Sequence, residues 1–285
     1  MGPLVSGKSP IGKTRRTVRL RAALALAGFL VATACARNPH PLLHSTTWVR
    51  TSTEYDAVAL EAWRLAIERL DEALAHPFWT AALEQTGGYQ DLPPAVIVDV
   101  DETVLDNSRF QTRLINAGEE FDPELWNQWV LEAAAPAVPG ALEFARAAGR
   151  RGVTIFYVTN RDQAVEAATR RNLETAGFPL DPGQDRVLTR GERRDWISDK
   201  SSRREVVARN YRILLLVGDD FNDFASARLS PAQRATLAAR YSDRWGRQWI
   251  MLPNPLYGSW EDALYGYQSG LSADEKTRRK AAALD

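Results

Sequence analysis

The chain has 285 residues, 45% hydrophobic and 25% charged; these proportions exclude a disordered or fibrous class and allow one large domain with an appendage, or two small ones. Its 36 Lys and Arg balance 36 Asp and Glu, but six of the bases and none of the acids fall in residues 1–34, so the remainder is net −6. An acidic body lacks the electrostatic footprint of a duplex-binding protein, which excludes nucleic acid as the partner.

The leader carries Lys8, Lys13, Arg15, Arg16, Arg19 and Arg21, then a thirteen-residue apolar run from Ala22 to Ala34. That run is too short to span a bilayer and has the length of a signal-peptide core, so residues 1–34 are predicted to direct export. The adjacent Arg15-Arg16 suits twin-arginine export as well as the general route. Cys35, the one cysteine, follows Val31-Ala32-Thr33-Ala34. Either it becomes the lipidated first residue of an outer-membrane lipoprotein facing the periplasm or cell surface, or it is an unused thiol in a soluble periplasmic protein. Small residues at 33 and 34 suit lipidation, while Ala32 stands where leucine is usual. A lone cysteine supplies no internal disulfide, so folding rests on core burial.

The leader also contains two literal matches to the phosphate-loop pattern, Gly2 to Ser9 and Gly7 to Thr14. Such a loop works only where a strand delivers it into a helix N-terminus, and Pro10 interrupts the segment. Nucleoside triphosphatase chemistry is therefore excluded.

Residues 35–53, with Pro39, His40 and Pro41, read as a tether. From Glu54 to Leu74, Ala59, Trp63, Ala66, Ile67, Leu70 and Leu74 recur at helical spacing, predicting an amphipathic helix in an N-terminal helical segment over 54–94. This helix and the aromatic C-terminal region offer surfaces for a homodimer. Gly87-Gly88 and Pro93-Pro94 then break the chain.

A core over 95–270 alternates short apolar runs with helical stretches. Strands are predicted at Ala95–Val98, Val153–Val158, Arg186–Leu188, Ile213–Val217 and Trp249–Leu252. Helices are predicted at Gly140–Ala148, Gln163–Ala176 (with Gly177 as the C-cap) and Lys200–Asn210. An insert at about 108–137 includes a short helix opening at Asp122, with Pro123 in its first position. Residues 271–285 form a charged, exposed tail. Alternating strands and helices predict an α/β fold: a parallel sheet covered by helices on both faces.

In such sheets ligands bind beyond the carboxyl ends of the strands. The residues there are Asp99-Val100-Asp101-Glu102-Thr103, Thr159-Asn160-Arg161 and Gly218-Asp219-Asp220-Phe221-Asn222-Asp223, with Lys200 heading the helix between the last two. Clustered carboxylates repel one another unless a cation neutralises them, and magnesium accepts such oxygen ligands. A calcium loop of the EF-hand type is excluded, because Val104 stands where glycine is required and Phe110 where the bidentate glutamate belongs.

The segment Asp99-Val100-Asp101-Glu102-Thr103-Val104-Leu105-Asp106-Asn107-Ser108 resembles the first motif of the haloacid dehalogenase-like hydrolases. More narrowly it is similar to the class C, four-aspartate acid phosphatases typified by bacterial surface lipoproteins. Tyr157-Val158-Thr159-Asn160-Arg161, Asp199-Lys200-Ser201 and Gly218-Asp219-Asp220-Phe221-Asn222-Asp223-Phe224 continue the resemblance in order. Pro253-Asn254-Pro255-Leu256-Tyr257-Gly258 ends it, over roughly residues 50 to 265. Thr159 stands where that class often has serine.

The resemblance implies a Rossmann-like core with a helical cap and a magnesium-dependent phosphomonoesterase. Asp99 would attack phosphorus, and Asp101 would serve as acid and then base. One magnesium ion per chain would be held by the Asp99 carboxylate, the Asp101 backbone carbonyl, Asp219 and Asp223. Thr159 would hold a phosphoryl oxygen and Lys200 would balance charge; Asn160 and Arg161 would contact substrate, with Asp106 and Asn107 in support. Trp126 and Tyr257 would sandwich an aromatic leaving group, implying a small phosphomonoester substrate of the nucleoside 5′-monophosphate type. Alternatives are a nonspecific phosphatase or phosphotransferase for aryl and alkyl phosphates, and a non-catalytic surface binding lipoprotein.

Overall fold

The computed structural model describes residues 1–3, 7 and 39–284. Lys8 to Ala34, on which the export reading rests, and Cys35 lie outside the described residues. The chain divides into two units at His40/Pro41, and the fold is that of the second. No helix among the described residues is long and apolar enough to cross a membrane.

Five strands form one parallel sheet: β1 (Pro94–Val98), β2 (Thr154–Asp162), β3 (Val187–Arg190), β4 (Arg212–Gly218) and β5 (Trp249–Met251), in the order β3-β2-β1-β4-β5. The central strands are continuous apolar runs because both faces are covered. Val96 and Val98 of β1, with Ile155 and Tyr157 of β2, face one core. Ala95, Ile97, Phe156 and Val158 face the other. This period of two follows from the pleat. Strand β4 carries an irregularity, since Ala95 pairs with Ile213 but Val96 pairs with Leu215. Leu214 is thus an extra residue, which is why Leu214 and Leu215 both join the first core while Ile213 and Leu216 join the second.

The first core is closed by helix α2 (Thr53–Ala75). Tyr55, Ala59, Trp63, Ala66, Leu70 and Ala73 form its buried stripe, and the Ser52 side chain caps its N-terminus by accepting from Tyr55 N–H.

The expected tether needs correction. Leu43–Thr51 is a helix, α1, with Thr46 and Val49 buried. Val49 packs with Tyr55 and Leu256, so tertiary burial orders a stretch whose own composition is polar.

The insert comprises α3 (Ser108–Ala117) and α4 (Pro123–Glu132). Asp122 Oδ1 accepts from the N–H groups of Glu124 (2.8 Å) and Leu125 (3.1 Å), and Pro123 sits in the first turn where its missing donor costs nothing. Helices α5 (Ala141–Arg150) and α6 (Glu166–Ala176) follow β1 and β2. Gly177 ends α6 at φ 95°, a left-handed conformation that glycine adopts without strain. Helix α7 (Ser201–Ala208) precedes β4, α8 (Pro231–Arg240) and α9 (Ser259–Leu264) flank β5, and α10 (Ala273–Ala282) turns the charged tail into a helix. Arg279 Nη1 donates to the Tyr265 carbonyl at 2.7 Å and anchors α10.

Candidate active site

All four segments that leave the carboxyl ends of β1, β2 and β4 and the head of α7 meet at one edge of the sheet. Asp99 continues the ladder, its N–H donating to the Val217 carbonyl at 2.9 Å. The chain then closes a tight loop in which Val104 and Leu105 N–H groups both donate to the Val100 carbonyl, and Glu102 takes a left-handed φ of 56°. That loop aims the Asp99 carboxylate at the end of β4. The side chains of Asp99, Asp219 and Asp223 each offer an oxygen within 4.8 Å of the others.

Gly218 makes this approach possible. A Cβ there would lie 2.1 Å from Asp223 Oδ2, so no other residue fits between β4 and that carboxylate. Asp223 is held in turn by the Asp220 N–H, which donates to its Oδ2 at 2.9 Å in a reciprocal cap of the following turn.

Lys200 directs its ammonium to Asp223 Oδ1 at 2.6 Å and also touches Asp99 Oδ1. Burial works against its charge, but Asp223 and Asp99 outweigh that and raise its pKa. Burial pushes Asp99 up to about 7, with Lys200 pulling down and Asp223 and Asp101 pushing further up. Asp219 is raised well above the usual carboxylate range by burial and by Asp99 and Asp223. Its own partners are neutral: the Thr103 hydroxyl donates to Oδ1 and the Asn254 amide to Oδ2, both at 2.8 Å. Three crowded carboxylates with a single ammonium among them leave excess negative charge, and the donor set is all oxygen. These residues fit a hard divalent cation.

Asp101 points away from the trio. Its Oδ1 accepts from Arg161 Nε (2.9 Å), Arg161 Nη2 (2.8 Å) and Asn107 Nδ2 (2.9 Å), while Thr159 Oγ1 lies 3.4 Å from Oδ2. Thr159 is fully buried, and its hydroxyl accepts from Arg161 N–H at 3.1 Å.

The sequence reading grouped Asn160 and Arg161 with substrate, whereas both side chains have partners inside the protein. Asn160 donates to the Ser198 carbonyl and accepts from Arg203, and the buried Arg161 grips Asp101. Trp126 stands edge-on to Phe110 at 5.2 Å, with the Arg161 guanidinium 5.7 Å over its ring. Trp129, one turn on, is the buried member of the pair. The Tyr257 hydroxyl donates to Glu102, and its ring packs on the Val49–Tyr55–Leu256 cluster. Glu102 itself is buried, and its pKa is raised well above the carboxylate range by burial and by Asp101, Asp219 and Asp106.

Several site residues were not singled out from sequence. Asn254 and Thr103 hold Asp219. Arg203 is buried and ties the Thr159 carbonyl to the loop before Lys200, though Ser201-Ser202-Arg203-Arg204 reads as a surface run.

A five-stranded parallel sheet with an aspartate-bearing loop after its middle strand, acids after β4 and a lysine at a helix head defines a haloacid dehalogenase-like hydrolase fold. Residues 31–260 match the family described as HAD superfamily, subfamily IIIB (acid phosphatase), and the chain belongs to that family.

The structure is similar to that of the class C acid phosphatase from Bacillus anthracis, with a TM-score of 0.76 and 31% identity over 87% of this chain and 98% of that one. A second structure of that protein, with tungstate bound, gives 0.75 and 30% over the same shares. Among curated relatives, acid phosphatase 1 of Solanum lycopersicum is 27% identical over 165 residues, covering 56% of this chain and 57% of the relative. The stem 28 kDa glycoprotein of Glycine max is 25% identical over 172 residues, covering 56% and 58%. The chain thus spans a little over half the length of these curated relatives.

Proposed function

We propose that the protein is a magnesium-dependent acid phosphatase that hydrolyses phosphomonoesters, 5′-nucleotides among them, through an aspartyl-phosphate on Asp99. The observation that carries this reading is the meeting of the Asp99, Asp219 and Asp223 oxygens beside the Lys200 ammonium.

Asp99 Oδ attacks phosphorus as the ester P–O bond breaks, and Asp101 gives its proton to the leaving oxygen. In the second half Asp101 takes a proton from water, which hydrolyses the acyl phosphate and frees Asp99. Lys200 offsets the charge on the transferring group, and the Thr159 hydroxyl hydrogen-bonds a phosphoryl oxygen. The Asp99, Asp219 and Asp223 carboxylates and the Asp101 carbonyl would hold magnesium, which supplies charge screening between an anionic nucleophile and an anionic ester. Tungstate in the Bacillus anthracis structure is an oxyanion, which agrees with an anion site in this family.

Replacement of Asp99 by Asn should abolish turnover of 4-nitrophenyl phosphate with the circular dichroism spectrum unchanged. Full activity in that variant rules out the nucleophile assignment, and activity that survives a chelator rules out the metal.

A base-stacking role for Trp126 and Tyr257 draws support from Arg161, which lies over the Trp126 ring and also bonds Asp101, and from the bond of Tyr257 to Glu102 in the first motif. Stacking on an aromatic side chain contributes about 1–3 kcal/mol, so Trp126→Ala and Tyr257→Ala should each raise KM for AMP roughly 5- to 150-fold. Unchanged KM in both removes the nucleotide preference and leaves a phosphatase of broad range.

Export is part of the same proposal, with Cys35 as the lipidated residue. Incorporation of labelled fatty acid that is lost in Cys35→Ser tests it; no incorporation in the native chain points to the soluble periplasmic form.

A further inference from the structure

Asn107 stands at the head of α3, where an asparagine ordinarily caps the helix from solvent, yet it is fully buried and its side chain makes no capping bond. Its amide is spent elsewhere. Oδ1 accepts from Trp129 Nε1 at 2.8 Å and from Arg161 Nη2 at 3.4 Å, and Nδ2 donates to Asp101 Oδ1 at 2.9 Å, with weaker contacts to Glu102 Oε2 (3.5 Å) and the Leu105 carbonyl (3.4 Å). Indole and guanidinium groups only donate, so chemistry alone sets which way round this amide sits.

Asp101 Oδ1 consequently receives three donors, which exceed its two lone pairs, whereas Oδ2 faces only the Thr159 hydroxyl at 3.4 Å. The two oxygens are inequivalent. One is gripped by the protein, and the other is turned toward the end of β2. Both grips are backed by the same face of the insert helix α4: Trp129 bonds Asn107, and Trp126, three residues earlier, lies under Arg161 at 5.7 Å.

We infer that Asn107 and Trp129 are positioning residues that tie the insert to Asp101 and present Asp101 Oδ2 to the leaving-group oxygen. This rests on the reading of Asp101 as the acid. In the step served, the Asp99 O–P bond forms, the ester P–O bond breaks, and the proton on Asp101 Oδ2 passes to the departing oxygen, leaving a carboxylate. The insert, which the resemblance reads as a cap, thereby also aims the acid.

The test compares kcat/KM for two phosphates in the full-length enzyme with magnesium present. Glycerol phosphate has an alkoxide leaving group that needs the proton, and 4-nitrophenyl phosphate has a phenolate that needs it far less. Asp101→Asn should lower the glycerol phosphate value by about 10²- to 10⁴-fold and the aryl value by much less. Trp129→Phe keeps an aromatic ring but removes the indole N–H, together with the volume of the pyrrole ring. Asn107→Asp keeps an acceptor for Trp129 and Arg161 while turning the donor to Asp101 into a repelling oxygen. Each should depress the alkyl-to-aryl ratio, by roughly ten- to a hundredfold for Asn107→Asp, the rate equivalent of one hydrogen bond to a charged group.

A purely structural role lowers both substrates in proportion. An unchanged ratio in both variants therefore overturns the inference while Asp101→Asn still discriminates. If Asp101→Asn also fails to discriminate, it is the acid assignment that falls. Should Asn107→Asp fail to fold, Trp129→Phe alone decides, because a loss of stability or packing acts on both substrates alike and cancels in their ratio.

Discussion

Lys200 Nζ is shared by Asp99 and Asp223: it lies 2.6 Å from Asp223 Oδ1 and in contact with Asp99 Oδ1. One buried ammonium thus joins the carboxylate after β1 to the one after β4. The position at the head of α7 makes this possible, because the helix axis runs back under the sheet while its first residue stays at the carboxyl edge.

Removing that ammonium strands two buried carboxylates. Breaking a buried ion pair typically costs about 3–5 kcal/mol, so Lys200→Met should lower the thermal midpoint sharply. Loss of the charge facing the transferring group should also reduce kcat by at least about a hundredfold. Denaturant melts alongside steady-state kinetics check both, and a variant as stable and active as the parent contradicts the geometry.

Gly218→Ala probes the contact between β4 and Asp223. Its Cβ would stand 2.1 Å from Asp223 Oδ2 and 2.5 Å from Asp223 Cβ, so the turn carrying Asp223 must shift, taking the carboxylate away from Lys200 and the Asp220 N–H. Overpacking of this kind costs about 1–3 kcal/mol. The affinity for magnesium, followed by calorimetry, should weaken far more than stability does. Undiminished binding means that Asp223 is dispensable for the metal.

The stability of the apoprotein should fall as pH rises. Asp99 goes from 3.8 in its ordinary setting to about 7 in the folded protein, and Asp219, Asp223 and Glu102 are raised as well. The folded state therefore keeps protons that the unfolded chain has released. The cost is absent below the ordinary carboxylate values and fully present above the raised ones. In chelator the thermal midpoint should drop between about pH 5 and about pH 7.5, and magnesium should restore more of it at the higher value. An equal gain at both pH values disproves the link between the carboxylates and the cation.

Deleting residues through Thr51 should destabilise the enzyme, since α1 covers the Tyr55–Leu256 cluster. Exposing the apolar surface that Val49 and Trp48 shield should cost roughly 2 kcal/mol or more. A deletion ending at His40 should cost less, since it leaves α1 on the cluster. Equal melting temperatures for both deletions would restore the tether reading of 43–51.

The strands were legible because each is an apolar run bounded by turns, and the acids were legible because they follow those runs directly. Helix α1 was not, since three threonines and a histidine in Leu43–Thr51 carry little helical signal and its order comes from Leu256, two hundred residues away. Helix α8 carries its own signal in the sequence, the reciprocal Ser230–Gln233 cap with Pro231 in the first turn. Within the site, Asp99, Asp101, Asp219, Asp223, Thr159 and Lys200 could be named from position along the strands. Asn107 could be placed only as a neighbour of the first motif, and Trp129, Arg203 and Asn254 not at all. Each takes its meaning from a partner far along the chain, and nothing in a linear pattern separates a buried guanidinium such as Arg203 from an exposed one.

The Asn254 amide on Asp219 and the Tyr257 hydroxyl on Glu102 come from a segment beyond the last strand. During synthesis, a nascent chain halted at residue 250 already contains every acid of the cluster but neither of these two donors. The charged edge is therefore braced by a segment that follows all of its acids in the chain, so a truncation at residue 250 should keep the cluster and lose both of the donors that hold Asp219 and Glu102.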